Sequence, residues 1–260
     1  MLSDDECRRC AEELLRAQTE RRLVTAPSRV HPSLTIADSY RIQDLWSAQR
    51  EVGGARVIGR KIGLTSRAMQ TAYAMTEPDY GRIFDDAVYG DGARIRAASF
   101  FKPRVEVELA FILGSALVGP GVQMYDAVRA TELVVPALEV IDHRTEPTRA
   151  VVDMIADNAA FGAIIVGGRA VRPMDADIRW IGATLSKNGV IEESGVSASV
   201  MGHPAAAVAW LANALAAVGA RLEPGHIVLS GSFTRPVEIG EGDVIHADYG
   251  PLGSLGVSFV

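Results

Sequence analysis

With 260 residues, 48% of them hydrophobic and only 6% aromatic, the chain can bury one large aliphatic core, as a single domain or a domain with an appendage. A net charge of −6, with no cluster of Lys and Arg to offset it, argues against a nucleic-acid partner. No apolar run reaches the length of a bilayer and residues 1–22 are charged throughout, unlike a secretory leader, so no membrane partner and a cytoplasmic location are expected.

Ser3-Asp4-Asp5 is a capping signal, and Cys7, Cys10, Ala11, Leu14 and Leu15 follow at helical spacing. The two cysteines have no second Cys or His pair nearby in sequence and are expected to be reduced and structural. Thr35 to Asp38 opens a second helix carrying Tyr40, Leu45 and Trp46, which Gly53-Gly54 stops. Residues 1–54 therefore form a helical N-terminal part, and residues 55–260 a β-rich domain. Residues 56–64 predict a strand running into a glycine-relieved bend, after which Ser66 caps a short helix. Glu77-Pro78-Asp79-Tyr80-Gly81 has the composition of a turn, and short strands follow to Ile95. Beyond two long strands at 104–112 and 133–141, with a helix between them over 124–131, come a buried strand at 162–167 and an Asn188-Gly189 hairpin. Pro204 opens a helix with Val208, Leu211 and Leu215 on its apolar face, and Gly219 closes it, with His203 as part of the helix entry. Strands over 226–230, 244–249 and 254–260 complete the chain. Few helices, no regular βαβ alternation, and no Rossmann or P-loop glycine motif make the fold α+β.

The strand Arg104-Val105-Glu106-Val107-Glu108-Leu109 alternates strictly, so Glu106 and Glu108 share one face while Val105, Val107 and Leu109 point into the other layer. Two carboxylates side by side repel one another. A solvated polar edge would explain such a pair alone, but Glu139 is the single charge in the apolar run 133–141 and needs a cationic partner if that strand is buried. A divalent ion with oxygen ligands would serve all three, and all-oxygen ligation favours Mg²⁺ or Mn²⁺ over zinc. His143 follows Glu139 by four residues, roughly 13 Å along a strand, too far for a fourth ligand. It is expected just outside the ligand set or at the surface.

Lys61-Ile62-Gly63-Leu64-Thr65-Ser66, the Glu77 to Gly81 segment, Pro103 to Glu108, Pro136-Ala137-Leu138-Glu139, Asp157-Asn158-Ala159 and Gly231-Ser232-Phe233-Thr234-Arg235-Pro236 together resemble the hydratase/decarboxylase branch of the fumarylacetoacetase-like superfamily, over nearly the whole chain. The resemblance implies a rolled mixed β-sheet domain of fumarylacetoacetase C-terminal type with a helical N-terminal part, a Mg²⁺ site, and a homo-oligomer built from dimers. It implies Glu106, Glu108 and Glu139 as metal ligands, Lys61 as the active-site lysine that meets the substrate carboxylate or developing enolate, and a small 2-oxo acid as substrate.

Asp79 by itself is an ordinary turn residue. The resemblance gives it a role in proton handling, because hydratases of the branch carry Pro-Asp here where decarboxylases carry an apolar residue. Asn158 and Ser232 are candidates to order water and the substrate carboxylate, though capping or turn duty explains each as well. Arg235 is the candidate for the far carboxylate of a seven-carbon dioate, the substrate of the hydratases whose wording is nearest; a surface or intersubunit ion pair is its alternative. The implied reaction is hydration of a 2-hydroxy-2,4-dienoate in aromatic catabolism, on a dioate or on a five-carbon acid. Decarboxylation of a 2-oxo dioate, carbon–carbon bond hydrolysis for which no base is identifiable, and service as a non-catalytic partner subunit are the other readings.

Overall fold

The computed structural model describes residues 1–147 and 150–260. Helix α1 (Asp4–Glu20) starts on a capping box, in which the Ser3 backbone N–H donates to Glu6 at 2.7 Å and the Glu6 N–H to the Ser3 hydroxyl. A short α2 (Pro27–Val30) precedes α3 (Ile36–Val52), which is capped in the same way by Thr35 and Asp38. Cys7, Cys10 and Leu14 pack against Ile42 and Trp46, and both cysteines are free and buried. This helical pair is not isolated, since Phe84 and Ala156 from later elements complete its core.

The remaining elements are β1 (Val57–Gly63), α4 (Arg67–Ala72), β2 (Asp79–Phe84), β3 (Val88–Gly90), β4 (Ala93–Ile95), β5 (Arg104–Leu113), α5 (Met124–Ala130), β6 (Thr131–Ile141), α6 (Val151–Ala156), β7 (Phe161–Val166), β8 (Gly182–Lys187), β9 (Val190–Val196), α7 (Pro204–Ala216), β10 (Ile227–Leu229), β11 (Val237–Glu238), β12 (Val244–Asp248) and β13 (Ser254–Phe259). They form two mixed sheets. The larger runs β2-β1-β10-β5-β6-β7-β3, with β11 also paired to β5, and the smaller β4-β13-β12-β8-β9. The β1/β10, β3/β7 and β13/β4 pairs are parallel and the rest antiparallel. The expected α+β class is thus the observed one. No helix among the described residues is long and apolar enough to cross a membrane.

Alternation along β5 sends Val105, Val107, Leu109 and Phe111 into a core shared with Leu185, Ile245, Leu255 and Val257 of the smaller sheet and with Val208 and Leu211 of α7. The other face of β5 and its neighbours carries the polar cluster, which gives way to a small apolar patch of Ile83, Ala110, Ala137, Ile164 and Leu229.

Two sequence expectations change. Asp79 does not sit in a turn: it begins β2, where Gly63 is its partner across the ladder. The Pro-Asp wording carried the turn reading, but pairing with β1 overrides it, since Asp79, Tyr80 and Gly81 all find ladder partners. Helix α6 was not legible either, because its six residues are too short to show periodicity.

Candidate active site

The β5/β6 register places Glu106 directly opposite Glu139, with Glu108 one face-repeat along β5. One carboxylate oxygen from each of the three lies within 4.8 Å of those from the others. Glu108 and Glu139 are buried, and Glu106 opens partly onto a cavity of about 530 Å³. Glu108 accepts a hydrogen bond from the Gly231 N–H at 2.8 Å, while Glu139, apart from its ion pair with Lys61, has no well-formed hydrogen bond among the described residues. Burial first, then the mutual repulsion of the carboxylates, pushes Glu106 up to about 7 and Glu108 well above its ordinary value. Glu139 is also raised by burial, although Lys61 opposes it. A set of oxygen donors with hydrogen-bonding capacity left over fits a hard divalent cation.

Lys61 reaches the cluster from β1, three inter-strand steps from β6 and about 14 Å away in a flat sheet. Its Nζ lies 3.2 Å from Glu139 Oε1, so the two long side chains reach toward each other across the intervening strands. Burial would tend to deprotonate this lysine, which is 5% exposed, but Glu139, Asp79, Glu108 and Glu106 outweigh that and raise its pKa. The ammonium is held from another side by the Ala159 carbonyl at 2.9 Å.

That carbonyl belongs to a rare conformation. Asn158, Ala159 and Ala160 are successive left-handed residues with φ of 53°, 51° and 58°, each disfavoured by about 1 kcal/mol or more for a residue with a Cβ. Surrounding contacts hold the turn in place. The Arg144 side chain donates to both the Asp157 carboxylate and the Asp157 carbonyl, and to the Phe161 carbonyl at 3.1 Å. The Asn158 amide accepts from the Arg82 N–H at 2.7 Å and donates to the Arg82 carbonyl at 2.9 Å, tying the turn to β2. Gly81 permits this approach, because a Cβ there would lie 2.5 Å from the Asn158 carbonyl oxygen.

Asp79 shares the cavity and is 1% exposed. Gly63 makes room for it, since a Cβ on Gly63 would stand 2.1 Å from Asp79 Oδ1. Neither carboxyl oxygen has a well-formed hydrogen bond among the described residues, although the N–H groups of Gly63 and of Asp79 itself favour its ionised form. Burial raises its pKa and the charge of Lys61 restrains the rise, so Asp79 is a desolvated acid beside a buried ammonium, suited to giving and taking protons.

The other expected residues are placed differently. Ser232 and Arg235 line the cavity, but the Ser232 hydroxyl donates to the Thr234 carbonyl at 2.8 Å, and Arg235, largely exposed, pairs with Glu193 at 2.7 Å. The Asn158 side chain is engaged by Arg82. His143 also lines the cavity, and burial, reinforced by Arg104 and Arg144, pushes its imidazole down to about 4. Sequence reading passed over Arg104, which lines the same space; its place two residues before Glu106, on the same strand face, was the available signal.

A carboxylate triad with oxygen donors to spare thus shares one cavity with a buried lysine and a buried acid, a set that could hold a cation and move a proton. The chain belongs to the fumarylacetoacetate (FAA) hydrolase C-terminal family, which residues 58–260 match. It is 47% identical over 257 residues to a 2-oxo-hept-4-ene-1,7-dioate hydratase of Escherichia coli, covering 96% of each chain. It is 35% identical to a 4-oxalocrotonate decarboxylase of Pseudomonas putida, covering 96% of this chain and 95% of that one. The structure of 4-oxalocrotonate decarboxylase from Pseudomonas putida G7, complexed with magnesium and adipate, superposes with a TM-score of 0.97 at 32% identity over 100% of this chain and 99% of that one.

Proposed function

We propose that the protein is a divalent-cation-dependent hydratase, with Mg²⁺ the natural ion and Mn²⁺ a substitute, that adds water to the 2-hydroxy-2,4-dienoate tautomer of 2-oxo-hept-4-ene-1,7-dioate to give a 4-hydroxy-2-oxo acid. The observation that carries this reading is the unpaired, buried Asp79 beside Lys61 and the three glutamates. Identity to the dioate hydratase supports the substrate, and the relative solved with magnesium and a dicarboxylic acid supports both ion and ligand class. A cytoplasmic homo-oligomer built from dimers, acting in aromatic catabolism, belongs to the same reading.

Glu106, Glu108 and Glu139 would hold the cation, which when bound supplies Lewis acidity toward a 2-oxo carboxylate and its enolate. Lys61 presents a fixed positive charge to that anionic end. Asp79, whose pKa burial raises, delivers a proton in its acid form to carbon 5 of the dienol. Lys61 then stabilises the carboxylate so formed, which takes a proton from the water adding at carbon 4 and returns it at carbon 3. The proton released by the 2-hydroxyl restores Asp79. Decarboxylation is the second reading, favoured by the 0.97 superposition on a decarboxylase, but loss of CO₂ leaves a water-activating acid at this position without a task. NMR of the products formed with Mg²⁺ from the seven-carbon dioate and from a five-carbon dienoate is expected to show a 4-hydroxy-2-oxo acid, faster from the dioate. CO₂ release from 4-oxalocrotonate without any hydration would replace this reading with the second.

Raised carboxyls also set a pH dependence. Relative to an ordinary value of 4.5, Glu106 is lifted to about 7, so the folded metal-free protein keeps protons that the unfolded chain has lost between those values. Stability without metal therefore falls as pH rises through that window. Cation binding needs the ionised carboxylates and strengthens over the same range. The Mg²⁺-induced rise in Tm is expected to be larger at about pH 8 than at about pH 5.5. Scanning calorimetry finding equal rises at the two pH values would contradict the assignment of these glutamates.

A further inference from the structure

Resting on the hydratase reading, we propose that Arg104, and not Arg235, receives the far carboxylate of the dioate. Arg235 extends into solvent and its charge is answered by Glu193. Arg104 is half-buried, and its guanidinium forms no ion pair or hydrogen bond with any other described residue. Glu238 faces it across the β5/β11 ladder but is itself exposed and unpaired with it. A partly desolvated guanidinium whose donors meet no acceptor among the described residues calls for an anion, and its planar fork matches a carboxylate.

Arg104 shares the strand face of Glu106 and Glu108, about 7 Å and 13 Å away along β5, so an acid gripped at the triad and extended along the strand leads its other end to Arg104. The guanidinium stands where the 530 Å³ cavity meets an outer cleft of about 720 Å³: Tyr73, Arg104, His143 and Met154 line both. His143, neutral near pH 7, adds a hydrogen-bonding ring without competing for the anion.

The test measures kcat/KM for the seven-carbon dioate and a five-carbon monocarboxylate dienoate in wild type, Arg104→Met, Arg104→Lys and Arg235→Met. Arg104→Met is expected to lower the dioate-to-monocarboxylate ratio about 10- to 100-fold, the scale of a charged hydrogen-bonded pair, with Arg104→Lys intermediate. Arg235→Met should move the ratio less than about fivefold, as befits an exposed ion pair. Calorimetric binding of the saturated 2-oxoheptanedioate and 2-oxoheptanoate to the Mg²⁺-loaded proteins reads the same preference without turnover. It distinguishes the two levels of the argument, since a wild type that prefers the dioate in binding but hydrates neither acid defeats the hydratase reading and leaves Arg104 standing. Equal losses on both acids in Arg104→Met and Arg104→Lys, or a selective loss in Arg235→Met, would overturn the assignment.

Discussion

Glu106→Gln is expected to weaken Mg²⁺ binding by more than about 100-fold, exceeding the 10- to 100-fold loss typical when an outer partner of a ligand is removed. Glu106 is the best member of the triad to replace, because Glu139 also pairs with Lys61 and Glu108 also accepts from the Gly231 N–H. A neutral amide at this position removes one of three mutually repelling groups, so metal-free Glu106→Gln should melt no lower than metal-free wild type at about pH 8. Isothermal titration gives the affinity and calorimetry the melting point. Retention of wild-type affinity, or full hydratase activity in protein stripped by EDTA, would remove the cation from the reading.

Asp79→Asn is expected to lower kcat for hydration by about 10²- to 10⁴-fold, the usual worth of a positioned general acid–base group. Asn has nearly the same shape and would keep the contact with Gly63, so the fold and the affinity for Mg²⁺ and for saturated 2-oxo acids should survive. That split between binding and turnover identifies proton transfer. Unchanged hydration in the variant would reduce Asp79 to a strand residue.

How far the sequence could be read depended on whether the signal was local. Alternation in β5 and the lone charge in β6 announced a three-carboxylate cluster because period two is a property of any strand, and the structure brings those oxygens together. Helix caps at Ser3, Thr35 and Ser66 and the Asn188-Gly189 hairpin were equally local, and all appear. Asp79 was misjudged as a turn residue because its partner Gly63 lies across a ladder that no local rule reveals. The closeness of Lys61 to Glu139 depends on the strand order of the sheet and on a carbonyl 98 residues away, and neither leaves a trace in spacing. The Asn158 amide looked available for water, yet its engagement with Arg82 depends on a left-handed turn that Asn permits but Ala does not advertise. Arg104 was legible in principle, being on the same alternating face as the glutamates.

The run from Asn158 to Ala160 also bears on how this protein can be improved. Anyone seeking a hardier variant would turn first to left-handed residues that carry a Cβ, where glycine commonly relieves backbone strain. Here the same three residues aim a carbonyl at Lys61 and bridge to the strand that carries Asp79. Freedom granted to this backbone is freedom for the lysine to wander, so robustness and turnover are set against each other within a single turn. Thermal hardening is better sought on the exposed faces of α1 and α3, none of whose residues lines the cavity.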